Sequence, residues 1–90
     1  MDFDSPPRTR KMARPEYPRD AFEARIQGTV LVEAVIDAKG RVTKVRVLES
    51  VPGLDEAAVK ALKKWRFHPA RKGGKPVATI IHAPVKFEIK

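Results

Sequence analysis

Val77-Ala78-Thr79-Ile80-Ile81-His82-Ala83-Pro84-Val85-Lys86-Phe87-Glu88-Ile89-Lys90 closes the chain, and its alternation decides what kind of fold the rest must complete. Side chains of an extended strand repeat every two residues, so Val77, Thr79, Ile81, Ala83, Val85, Phe87 and Ile89 share one face. Ala78, Ile80, His82, Pro84, Lys86, Glu88 and Lys90 share the other. The first face is strongly apolar and must be covered. Pro84 stands mid-strand with no N–H to give a ladder, which points to an edge strand. Backbone groups alternate sides with the same period as side chains. Pro84 should therefore face away from the paired neighbour, leaving the even-numbered residues on the free edge.

Outward from this strand, two more period-two segments supply its partners. Across residues 29–37, Val30, Val32, Ala34 and Ile36 share one face, while Thr29, Leu31, Glu33, Val35 and Asp37 form a mixed, partly covered face. Asp37-Ala38-Lys39-Gly40 follows, with Asp at the first turn position and Gly where a positive φ costs little. Residues 42–49 return as the second strand, with Val45 and Val47 inward.

Two helical stretches complete the pattern. Pro18 can open a short helix in which Phe22 and Ile26 make one apolar stripe, ended by Gln27-Gly28. Residues 54–65 carry a longer stripe of Leu54, Ala58, Leu62 and Trp65, flanked by Ala57 and Ala61. Asp55 and Glu56 sit in its first turn, where the helix dipole favours anions. Tyr17, Trp65 and Phe67 read as core residues that brace the N-terminal segment against this helix. Residues 71–76 read as a polar, mobile loop.

The order helix, strand, strand, helix, strand predicts an α+β fold with two helices on one face of a three-stranded antiparallel sheet. An edge position for the last strand puts the first strand in the middle, order 2-1-3. Residues 1–14, with Pro6-Pro7 and the basic Arg8, Arg10, Lys11 and Arg14, read as a flexible or loosely docked arm, and residues 15–90 as the domain.

The bulk numbers agree with one small globule. The chain has 90 residues, 42% hydrophobic and 33% charged, and no cysteine for disulfide or thiolate chemistry. No apolar run approaches the roughly 20 residues a membrane helix needs, and the first residues do not resemble a secretory signal. The net charge of +8 predicts attraction to an acidic partner or polyanion. Enzymatic chemistry has little support. Ser5 and Ser50 lie in no nucleophile elbow, Gly73-Gly74 lacks the strand-to-helix context of a phosphate loop, and neither His68 nor His82 has companions at metal-ligand spacing. No cofactor or metal is expected.

From Pro15 onward the chain resembles the C-terminal domain family of TonB energy transducers. The resemblance is carried by Pro15-Glu16-Tyr17-Pro18, Gly28-Thr29-Val30, Asp37-Ala38-Lys39-Gly40, Leu54-Asp55-Glu56-Ala57-Ala58, Lys64-Trp65-Arg66-Phe67-His68-Pro69-Ala70 and Pro84-Val85-Lys86-Phe87-Glu88-Ile89, in the family's order. It implies a periplasmic domain of an inner-membrane-anchored protein that binds rather than catalyses. Such a domain captures the TonB box, an extended segment of an outer-membrane transporter, and passes on force from a proton-driven inner-membrane motor. In the best-known member a glutamine implicated in box contact precedes the Pro-x-Tyr-Pro element. Arg14 stands there in this chain, which implies a different or more acidic partner.

The candidate partner-binding residues are therefore Ile80, His82, Pro84, Lys86 and Glu88 along the edge, with Arg14, Pro15, Glu16 and Tyr17 beside it. The edge can accept a partner strand, or Pro84, Lys86 and Glu88 can merely blunt it against aggregation. His82 either meets the partner or is solvated. Exchange of the last strand between two copies is a further expectation for a long free edge. The alternative from another class is a small nucleic-acid-binding domain using the basic block at residues 60–75, although no nucleic-acid motif is present and a solvated basic face is commoner.

Overall fold

Gly28–Ile36, β2, is apolar on the face that holds Val30, Val32, Ala34 and Ile36, and all four are fully buried in the computed structural model, which describes residues 3–90. Around this strand the chain forms an α+β fold with antiparallel sheets. In chain order the elements are β1 (Arg8–Lys11), α1 (Arg19–Glu23), β2, β3 (Val42–Glu49), α2 (Asp55–Lys63), β4 (Arg66–His68), β5 (Ala70–Lys72), β6 (Lys75–Val77) and β7 (Thr79–Phe87). The main sheet has the order β3-β2-β7, and two-stranded sheets β1-β4 and β5-β6 adjoin it.

β2 pairs with β7 from Gly28↔Phe87 to Ile36↔Thr79 without a shift. Its pairing with β3 slips twice, between Leu31 and Val32 and between Val35 and Ile36. The β2–β3 turn is set by Asp37, whose Oδ1 accepts the N–H groups of Lys39 and Arg41 at 2.9 and 2.8 Å. Gly40 in that turn has φ 83°, and a Cβ there would lie 1.8 Å from the Phe67 carbonyl oxygen. Only glycine fits both the dihedral and the close approach.

One core lies between the sheet and the helices. Ala57, Ala58 and Leu62 of α2 and Ala21 of α1 join Val30, Val32, Ala34, Ile36, Ala83, Val85 and Phe87. At the start of α2, Asp55 binds back to the preceding turn, accepting from the Val51 N–H at 2.8 Å and from the Ser50 hydroxyl.

Three local expectations need correction. The stripe of Phe22 with Ile26 does not form. The helix α1 has five residues, Arg25 at φ 60° ends it, and Phe22 is 51% exposed while Ala21 takes the buried place. Ile26 lies three residues past the end of the helix, so it shares no helical face with Phe22. Residues 71–76 are largely hairpin rather than a loop. β5 and β6 pair as Ala70↔Val77 to Lys72↔Lys75, closed by Gly73 and Gly74, both at positive φ as a two-residue turn demands. Val77 thus belongs to β6 and not to the closing strand. Within the N-terminal arm, Arg8–Lys11 form β1 against β4, with Arg8↔His68 and Thr9↔Phe67 in register. The Trp65 indole N–H donates to the Ala13 carbonyl at 3.0 Å, so the indole braces the segment leading to Pro15.

Candidate partner-binding edge

The position of Pro84 fixes how β7 is oriented. It lies opposite Leu31 in the unbroken β2–β7 register. Without an N–H it can sit only at a non-hydrogen-bonded pair, so the odd-numbered residues make the ladder to β2. The backbone groups of Ile80, His82 and Lys86 then point away from β2, as does the Pro84 carbonyl. β7 has no second strand neighbour among the described residues. Side chains obey the same parity. Ala83, Val85 and Phe87 are buried, whereas Ile80, His82, Pro84 and Lys86 are exposed. Ile80 is the apolar member of the exposed set, at 52%. Glu88 lies one residue past the strand, and its Oε2 pairs with the Lys86 Nζ at 3.2 Å.

His82 is held rather than free in solvent. Its Nε2 lies 3.2 Å from Glu33 Oε2, and Arg46 Nη2 lies 3.1 Å from Glu33 Oε1. Arg46, Glu33 and His82 are cross-strand neighbours on β3, β2 and β7, so they form one polar row across the solvent face of the sheet. Glu33 and Arg46 escaped the sequence reading. The signal was present in the alternation, since Glu33 shares the mixed face of its strand, but the register that joins the row is a tertiary fact.

The remaining candidates gather elsewhere. Arg14, Glu16 and Tyr17 line a groove of about 540 Å³ whose other wall is α2, through Glu56, Lys60 and Lys64, with Ala57 and Ala61 between them. Pro15 is half-buried beside them. Tyr17 is the link between the two places. Its hydroxyl donates to the Ile26 carbonyl, and its ring stands edge-on to Phe22 and to Phe87 of β7, with centroids 5.6 and 5.5 Å away.

The basic block is spread over several elements. Lys60 and Lys64 line the groove, Arg66 donates from Nη1 to the carbonyls of Lys63 and Trp65, and Lys72 and Lys75 lie on the β5–β6 hairpin. Among the described residues no cluster of three or more His, Cys, Asp or Glu could hold a metal, and no helix is long and apolar enough to cross a membrane.

Residues 13–89 match the family model described as the Gram-negative bacterial TonB protein C-terminal. The chain belongs to the TonB C-terminal family. It is 38% identical to Protein TonB of Vibrio cholerae over 97% of its own length and 36% of that protein's. It is 43% identical to a Protein TonB of Pseudomonas aeruginosa over 83% of its own length and 22% of that protein's. The solution structure of the Pseudomonas aeruginosa TonB C-terminal domain superimposes with a TM-score of 0.76 at 41% identity, covering 97% of this chain and 90% of that one. The chain thus spans about a third or less of the curated relatives it matches. Membership puts it among non-catalytic proteins, and the comparisons lend no support to a nucleic-acid role.

Proposed function

We propose that this chain is the periplasmic receptor-binding domain of a TonB-like energy transducer, and that it captures the TonB box of an outer-membrane transporter by strand addition outside β7. The observation that carries the reading is the unpartnered outer edge of a strand held in unbroken register over nine residues. A straight, rigid edge presents backbone donors and acceptors at a fixed spacing, so an extended peptide can pair without the protein reorganising. Each backbone bond contributes on the order of 1 kcal/mol net, so several in series are needed for useful affinity. Side chains then select the partner. Ile80 offers an apolar contact on the solvent face, and the row ending in His82 offers a polar one. Arg14, Pro15, Glu16 and Tyr17 form the second contact, at the groove on α2, where Arg14 favours an acidic residue of the incoming segment.

In this proposal the captured strand is the point at which force from a proton-driven inner-membrane motor reaches the transporter. The same edge can take the last strand of a second copy, so a strand-exchanged dimer would compete with the receptor segment.

Titration of isotope-labelled protein with a TonB-box peptide tests the reading. Amide shifts should concentrate at residues 80–88 and 14–17 and persist at moderate salt, because backbone pairing is little screened. Shifts confined to residues 60–75 and erased by salt would sink it.

A further inference from the structure

The pocket between the N-terminal segment and β4–β5 gathers basic and hydroxyl side chains around two prolines. The Ser5↔Arg71 bridge and the Arg8↔His68 pair fall in one antiparallel register, so residues 5–9 run alongside residues 67–71 as a single interrupted ladder. The interruption has a covalent cause. Ser5 and Arg71 exchange both bonds, the next bonded pair in that register is Pro7 with Pro69, and neither has an N–H to give. At the gap a pocket of about 510 Å³ opens, lined by Ser5, Pro6, Arg8, His68, Pro69 and Arg71.

Arg8, Arg71, His68 and Ser5 line this space together with the two prolines, and no carboxylate of the described residues lines it. Asp4, the residue before Ser5, does not line the pocket, and its Oδ2 accepts from the Gly73 N–H at 2.6 Å. The backbone at the pocket's end is also satisfied, with Arg71 N–H donating to Ser5 O at 3.0 Å and Ser5 N–H to Arg71 O at 3.1 Å. Arg71 gives one guanidinium N–H to the Gly74 carbonyl at 3.0 Å and keeps the rest. Two guanidiniums at one pocket repel each other, and an anion placed between them relieves the repulsion. A planar carboxylate satisfies one guanidinium fork. Two arginines, a histidine and a serine around one pocket can supply donors from several directions, which suits a tetrahedral oxyanion with three or more acceptor oxygens.

We infer that this pocket is a binding site for a phosphoryl group, free or carried on a lipid headgroup. Two halves of the site come from segments far apart in the chain, so the anion also ties the N-terminal segment to β4. This site is independent of the β7 edge. Loss of peptide capture leaves it intact, and its own failure leaves the strand-adding reading untouched.

The test uses the full chain with two phosphoryl sources. Inorganic phosphate is titrated into the labelled protein, and cosedimentation is measured with phosphatidylglycerol vesicles against phosphatidylcholine vesicles. Arg8→Gln with Arg71→Gln removes both guanidiniums from exposed positions, and Lys39→Gln with Lys44→Gln removes equal charge elsewhere, from exposed positions outside both sites. The expected result is a saturable response at residues 5–9 and 68–72 that the first pair weakens at least about tenfold and the second leaves nearly unchanged. Saturation by inorganic phosphate assigns the free anion; binding to phosphatidylglycerol vesicles alone assigns the headgroup. Folding of the variants is read from retained cross-strand contacts between Thr9 and Phe67. No response to either source, or a response that both variant pairs weaken equally, overturns the inference.

Discussion

The two edges of the main sheet are managed in opposite ways. β3 is irregular. Its register with β2 shifts twice, α2 packs against it, and the residues just before it are tied down by the Arg41↔Arg66 backbone bridge and by the Phe67 N–H donating to the Gly40 carbonyl at 2.8 Å. Bulges raise local twist and spoil the flat ladder another chain would need. β7 has none of these devices. Its register is unbroken, and its outer side carries a single proline and the Lys86–Glu88 ion pair. One sheet thus closes one edge by distortion and keeps the other straight. Straightness is costly for solubility, so keeping it along nine residues favours a role for that edge.

The difference can be broken most sharply with proline. Ile81 should lie in the ladder to β2 and His82 on the free side, although they are adjacent. Ile81→Pro should destabilise the fold by about 3 kcal/mol or more, because it removes a ladder bond and forces a ring against β2. His82→Pro should unfold at nearly the wild-type denaturant midpoint yet lose peptide binding, as Pro84 already shows that this parity tolerates the ring. Equal destabilisation by both would mean that the assigned parity is wrong.

On the β3 side the largest effect should come from Gly40→Ala. The new methyl would collide with the Phe67 carbonyl and meet an unfavourable φ, so a loss of roughly 2 kcal/mol is expected in chemical denaturation. Peptide affinity at β7 should stay within about twofold in the folded fraction, since the two edges share only β2. A smaller effect is expected from Tyr17→Phe, which deletes the hydroxyl donor to Ile26 and keeps the ring on Phe87. About 1 kcal/mol of stability should go, with peptide affinity changing less.

What could be read from sequence followed the range over which each signal is set. The faces of β2 and β7 were legible because alternation is local and their apolar sets are strong. The exposed set Ile80, His82, Pro84 and Lys86 followed from the same period. β1 was illegible, since Arg8-Thr9-Arg10-Lys11 has no apolar face and is exposed throughout. Backbone pairing with β4 defines it, and only the fold supplies that partner. The β5–β6 hairpin was missed although Gly73-Gly74 is a turn signal, because its strands are three residues each and mostly polar. The groove and the basic pocket were hidden for one reason: each joins segments dozens of residues apart.

The mildest test concerns the turn that feeds β3. The Asp37 carboxyl is held below its usual 3.8, chiefly because it accepts the Arg41 N–H, helped by Lys39 and by the Arg41 side chain and against some desolvation. A lowered folded value means that Asp37 contributes stability fully above the ordinary aspartate range. That contribution fades as pH falls from about 3.8 through the lower folded value. Asp37→Asn keeps an oxygen for the two N–H groups but loses the charge opposite Arg41. The variant should therefore melt slightly below wild type at neutral pH, by less than Tyr17→Phe, and the gap should close on acidification through that window. Other carboxylates titrate there too, but they are common to both proteins and cancel in the difference. A gap that stayed constant with pH would show that the turn is held by its backbone geometry alone. The start of β3 would then owe nothing to the Asp37 charge, and its closure would rest on the double slip against β2 and the contact at Gly40.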